Sequence, residues 1–129
     1  MKTHHLKIKI YYEDTDAGGV VYYANYLKYL ERARTEFLSE KGINVSQYHR
    51  EGIVFVVIHV DIDYKRPAIL GDIIDVTTEI VEMTNATITL KHHVLKDGML
   101  LIESTVKAAC VNHDGKPQRL PGSFRNLMA

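Results

Sequence analysis

Apolar residues alternate with lysines near the start of the chain: Leu6, Ile8 and Ile10 share one parity, with Lys7 and Lys9 between them. A period of two predicts a strand over 6–12 with one buried face. The pattern breaks at an acidic turn, Glu13-Asp14-Thr15-Asp16, followed by Ala17-Gly18-Gly19, whose glycines permit positive φ or a close backbone approach. From about Tyr23 the spacing turns helical. Tyr26, Leu30, Ala33 and Phe37 form an apolar stripe that Leu27 and Leu38 widen, while Lys28, Glu31, Arg32, Thr35 and Glu36 make the polar face. Gly42 after Lys41 suits a helix-ending C′ residue, giving a helix of about five turns.

A polar connector, 43–52, leads into a strand over 53–64. There Val54, Val56, Ile58, Val60, Ile62 and Tyr64 are predicted to keep one face apolar throughout. The other face begins apolar with Ile53, Phe55 and Val57 and turns polar at His59, Asp61 and Asp63. A strand end that is apolar on both faces needs two covers, the helix on one side and a second subunit on the other. Lys65-Arg66-Pro67 ends it. Three more strands are predicted over 72–83, 87–96 and 99–113, with Asn85 marking one turn and Asp97-Gly98 a hairpin. In the last strand Leu100, Ile102, Ser104, Val106, Ala108 and Cys110 share a parity, and a short helical turn is expected after Pro121. One long helix and about five strands in antiparallel meander style predict an α+β domain with the helix packed on one sheet face.

Composition narrows the function. A chain of 129 residues is one domain, 1–129, by the size prior. Sixteen basic and sixteen acidic residues give no global field to draw in nucleic acid or an anionic membrane. The longest apolar run, IVFVVI at 53–58, is too short for a membrane span. The opening MKTHHLKIKI lacks the features of a secretory signal. Cys110 is the single cysteine, so no intramolecular disulfide forms, which fits a reducing, cytoplasmic setting.

The candidate chemistry sits where the acidic turn meets the helix. That junction puts a carboxylate, Asp14 or Asp16, beside backbone N–H groups that lack intrahelical partners and favour negative charge. Such a pair supports attack on a carbonyl whose oxygen becomes negative. An aspartate in this position is, taken alone, more often an Asx-turn or N-cap residue. The chain has seven histidines. His4 and His5 are expected at a frayed terminus, His92 and His93 on opposite strand faces, and no HExxH or Cys/His ligand spacing occurs, so no metal is expected. His92 shares parity with Ile88, Leu90 and Val94, as a hydrogen-bonded core or interface histidine does, and Cys110 reads as a small buried hydrophobe. There is no GxSxG elbow, P-loop or dinucleotide fingerprint.

The stretch YYEDTDAGGVVYYANYLKYLERAR at 11–34 resembles the signature of the YbgC-like acyl-CoA thioesterases, a branch of the 4-hydroxybenzoyl-CoA thioesterase family. VDIDYKRPAILGDIIDV at 60–76 is similar to the strand–turn–strand that follows the second strand in these enzymes. The resemblance covers nearly the whole chain and implies the hotdog fold, a curved antiparallel sheet wrapping a central helix. It also implies hydrolysis of acyl-CoA to a carboxylic acid and CoA without cofactor or metal, in a homodimer or homotetramer with sites at subunit interfaces. Asp16 falls on the family's catalytic carboxylate, acting as nucleophile through a mixed anhydride or as general base for water. Tyr23 falls where the helix-start N–H polarises the thioester carbonyl, and Gly19 and Val20 match the segment that admits the thioester. Two positions depart from the pattern. GVVYYA replaces the frequent GVVYHA, removing an imidazole at Tyr23, and Ile58 stands where relatives often carry a basic residue, with His59 beside it. The nucleotide end of CoA then falls to His59, Lys65 and Arg66 or to another subunit. Two alternatives stay open: a non-catalytic acyl-CoA or acyl-carrier-protein binding module, and an enoyl-thioester hydratase on the same fold.

Overall fold

The computed structural model describes residues 3–127, and the periodicities above become five strands, two helices and two single 3-10 turns. β1 is His4–Lys9, followed by a 3-10 turn at Tyr12–Asp14. Helix α1, Asn25–Glu40, is followed by a short helix α2, Val45–Arg50. The strands β2 (Val54–Tyr64), β3 (Ile73–Met83), β4 (Thr87–Lys96) and β5 (Met99–Val111) come next, and a second 3-10 turn at Gly122–Phe124 follows Pro121 as expected.

All pairs are antiparallel, in the order β1-β3-β4-β5-β2. The predicted meander therefore holds only for β3, β4 and β5. β2 does not pair with β3; it lies at the far edge beside β5. The reason is the helix. α1 comes between β1 and β2 in sequence and packs against β1 and β3, so its chain crosses one sheet face and the two strands it separates finish at opposite edges.

Helix α1 buries Tyr26, Tyr29, Leu30, Ala33, Phe37 and Leu38. Leu27, expected in the stripe, is 45% exposed, and Tyr29 takes that flank of the seam at 1%. The C-terminus closes as a Schellman motif: Gly42, at φ +82°, donates to Ser39 O, and Ile43 N–H donates to Leu38 O at 2.9 Å. Ile43 is buried at 1%, the apolar contact that accompanies this motif. The connector read as polar contains α2, capped by the Asn44 side chain accepting from Gln47 N–H at 3.0 Å. His4 and His5 are not frayed. They lie in β1, where His4 Nε2 meets Glu40 at 2.6 Å and His5 Nδ1 meets Asp75 at 2.8 Å.

Three β-bulges overturn the simple alternation, and the one in β3 leaves Val81 unpaired between the Ile80–Leu90 and Glu82–Thr89 pairs. In β2, Val57 pairs with Ala108 but His59 pairs with Lys107, leaving Ile58 unpaired. The face shared with buried Cys110 and Ala108 thus carries Phe55 and Val57, then passes to Val60, Ile62 and Tyr64. Val54 and Val56 point the other way, so no single apolar face runs the length of the strand. In β5, Leu101 is the extra residue between the Leu95–Leu100 and Val94–Ile102 pairs. It goes into the core at 1% exposure, while Leu100 is only half-buried.

A polar row crosses the helix-facing side of the sheet, with Thr78 paired to His92 and His92 to Ser104. On one flank lie buried Val76, Val94 and Ile102, on the other Ile80 and Leu90. Among the described residues no helix is long and apolar enough to cross a membrane.

Candidate active site

The chain between the first 3-10 turn and α1 is held by short-range bonds that its sequence supplies. Asp14 shapes the turn. Its carboxylate accepts from Tyr11 N–H at 2.8 Å, and its carbonyl accepts from Tyr22 N–H at 3.0 Å and Asn25 Nδ2 at 2.9 Å. Beneath it, burial, then the Asp14 carboxylate, pushes the Tyr29 phenol above its ordinary value.

Asp16 opens the tight loop that follows. Its N–H donates to Val20 O at 2.9 Å, its carbonyl accepts from Gly19 N–H at 3.0 Å, and its Oδ1 accepts from Gly18 N–H at 2.8 Å. This is an Asx turn, so the structural role weighed against catalysis is real. It occupies one carboxylate oxygen. Asp16 is exposed, and its second oxygen has no partner among the described residues. Gly19 sits at φ +81°, a conformation a side chain strains, and a Cβ on Gly18 would come within 3.3 Å of Asp16 Oδ1.

The loop is then stitched to the segment after β2. Val20 bridges Ile69, Leu70 N–H donates to Gly19 O at 3.1 Å, and Val21 N–H donates to Ala68 O at 2.9 Å. Ala68 N–H donates to Tyr26 Oη at 3.0 Å, so the first turn of α1 is tied to the same place. Asp72 secures the far side, with Oδ2 accepting from Ile69 N–H at 2.9 Å and Oδ1 paired to Lys96 Nζ at 2.7 Å.

α1 proper starts at Asn25, two residues later than the periodicity at Tyr23 indicates. The lead-in is nonetheless helical in sense: Asn25 N–H donates to Tyr22 O at 2.9 Å, and Ala24 has φ −69° and ψ −21°. The N–H groups of Tyr23 and Ala24 are the open donors of this end, unpaired among the described residues. Tyr23 itself is 63% exposed.

A cavity of about 240 Å³ opens at this point, lined by Val21, Tyr23, Tyr26, Tyr64, Lys65, Arg66 and Pro67. Lys65 and Arg66 are thus brought beside Tyr23. Both of their N–H groups donate to Leu101 O, at 2.9 and 3.1 Å, so the β5 bulge fixes their backbone. The chain does not bring His59 here. That residue is exposed on β2, five positions before Tyr64 or roughly 16 Å of strand. Tyr64 was not singled out from sequence. It reads as an ordinary strand end on the apolar parity of Val60 and Ile62, and its place beside Tyr23 follows from a contact between residues 41 positions apart. Among the described residues no group of three His, Cys, Asp or Glu side chains is arranged to hold a metal ion.

A curved antiparallel sheet around one long helix is the hotdog fold of the thioesterases. Residues 11–127 match the thioesterase-like superfamily, and the chain belongs to that family. It is similar to the acyl-CoA thioesterase YbgC of Haemophilus influenzae, 44% identical over 93% of each chain. It is also similar to the acyl-CoA thioester hydrolase YbgC of Escherichia coli O157:H7, 38% identical over 91% of this chain and 89% of that one. Among solved structures, a probable thioesterase from Bartonella henselae superposes with a TM-score of 0.88 at 34% identity, over 93% of this chain and all of that one.

Proposed function

We propose that this hotdog-fold enzyme hydrolyses acyl-CoA thioesters, with Asp16 as nucleophile or general base and the Tyr23 N–H as oxyanion donor. The acyl-CoA thioesterase activity of its relatives, shared over nearly the full chain, supports the reaction class. One observation supports the site. The exposed carboxylate with a free oxygen and the unpaired N–H groups of Tyr23 and Ala24 lie on one short, cross-braced loop. Asp16 either attacks the thioester carbon, giving a mixed anhydride that water opens, or takes a proton from the attacking water. In both routes the thioester oxygen gains charge at a helix end whose donors are already oriented, and CoA leaves as the thiol.

Lys65 and Arg66, on the wall of the cavity beside Tyr23, suit the phosphates of CoA. The β2 edge, unpaired among the described residues, supports a homodimer in which a second copy extends the sheet there, or a homotetramer built from such pairs; His59 would then serve a site shared between subunits. The single, buried Cys110 suits a cytoplasmic setting.

The test is thiol release from a panel of acyl-CoAs, short and long aliphatic and aromatic, with Asp16→Asn alongside. Asparagine keeps the acceptor for Gly18 N–H, so the loop survives while the charge is lost. Turnover should fall by about 10²–10⁴-fold with the melting temperature unchanged. Undiminished turnover in a folded Asp16→Asn enzyme removes Asp16 from the mechanism.

A further inference from the structure

We propose that Tyr64 is a positioning residue for the reaction, holding and polarising the Tyr23–Ala24 peptide at the helix start, an assignment that rests on the thioesterase reading above. Tyr64 ends β2, and its pairing with Ile102 faces it to the helix side of the sheet. Its Oη donates to the Tyr23 carbonyl at 3.3 Å. That is longer than a tight O–H···O bond. The ring is nevertheless placed by two edge-to-face contacts, with Tyr23 at 6.3 Å and Tyr26 at 5.9 Å between centroids. Tyr26 is itself pinned through Ala68 N–H, so the phenol rests on a fixed support. Burial, then the neighbouring Tyr23, raises the Tyr64 pKa, so the hydroxyl keeps its proton and remains a donor at neutral pH.

The consequence lies across the same peptide. The carbonyl of Tyr23 and the N–H of Ala24 belong to one amide, and a hydrogen bond accepted at the oxygen strengthens the N–H as a donor. Ala24 N–H is unpaired among the described residues and adjacent to the Tyr23 N–H. Tyr64 thus equips the helix start with a second, polarised donor for the developing oxyanion and fixes its direction. Its other neighbour, the Tyr26 N–H, reaches the same carbonyl only at 3.4 Å, so the hydroxyl supplies an independent hold.

Tyr64→Phe keeps the ring contacts and removes only the hydroxyl. The variant should lose about 3- to 10-fold in kcat with KM within twofold and an unchanged melting temperature. The Ala24 amide proton should move upfield in the NMR spectrum of the variant, a readout that needs no turnover. Wild-type kcat in Tyr64→Phe, a change confined to KM, or an unmoved Ala24 resonance would each overturn the proposal. If the wild-type enzyme released thiol from no acyl-CoA, the thioesterase reading would fail by itself, and the Ala24 shift would still decide whether Tyr64 polarises this peptide.

Discussion

At His92 two demands on one side chain conflict, and the conflict is measurable. The ring is 0% exposed, with Nδ1 3.1 Å from both the Thr77 carbonyl oxygen and Thr78 Oγ1. A carbonyl only accepts, so Nδ1 carries the proton and Nε2 presents a lone pair. That lone pair and Ser104 Oγ are buried without a partner among the described residues. Burial, then the Arg34 charge, with a smaller push from His93, lowers the imidazole pKa to about 3 against the opposing Thr77 bond. Above the ordinary value of 6.5 the ring is neutral in both folded and unfolded chains. As pH falls from there toward 3, the unfolded chain takes the proton and the folded one does not. Stability is therefore full at and above neutral pH and declines by up to ~1.4 kcal/mol per pH unit through that window. The His92 ring resonances should hold their neutral positions between about pH 8 and 5, and His92→Gln should flatten the pH dependence of the urea midpoint. A His92 that titrates near its ordinary value would refute this. That His92 belongs to the core was legible from its parity with Leu90 and Val94. That its second nitrogen is orphaned was not, because orphaning depends on neighbours from other strands.

Among the elements, the segment from Ala68 to Asp72 has more influence on the site than its length suggests. Its backbone pairs with Gly19 and Val21, and Asp72 anchors it to Ile69 and Lys96. For Asp72, burial alone would raise the carboxyl pKa, but the Lys96 and Ile69 bonds and the Lys96 charge outweigh it and hold it below the usual carboxylate value. A lowered folded pKa stabilises above the unfolded value and is lost as pH falls through the folded one. Asp72→Asn should therefore be less stable than wild type at neutral pH, with the gap closing below about pH 4. It should also lose turnover, because the loop carrying Asp16 loses its brace. Denaturant melts at both pH values together with kinetics check this, and an equal gap at both would show that the carboxylate charge is irrelevant. The sequence marked this segment by its likeness to the family pattern and by Gly71-Asp72. The pairing with Gly19, 50 or so residues away, follows only from strand order.

For the whole molecule, the governing feature is the β2 edge. Val56, Val57, Ile58 and Val60 are 39%, 47%, 54% and 38% exposed along a strand whose outer side has no pairing partner among the described residues. An apolar edge of this kind invites another chain. If the proposed homo-oligomer forms through this edge, replacing Val56 and Ile58 together with lysine should give monomers in light scattering and lower turnover per chain. A wild-type protein that is already monomeric at working concentration would end the shared-site reading.

What the sequence determined by itself was local: the strand and helix periods, the Gly42 stop, the Asp97-Gly98 hairpin and the Asp16 turn. Each depends on residues within a few positions of one another, where propensity and pattern act directly. Tertiary structure decided the rest. It moved β2 to the edge, inserted the bulges at Ile58, Val81 and Leu101, exchanged Leu27 for Tyr29 in the helix seam and left His59 outside the cavity. It also turned Tyr64 onto the helix start. The edge position of β2 follows from α1 crossing the sheet face before it, and the bulges follow from curvature. A sheet that must curve around a helix takes up extra residues where its strands would otherwise stay flat, and each extra residue reverses the inward face of everything beyond it.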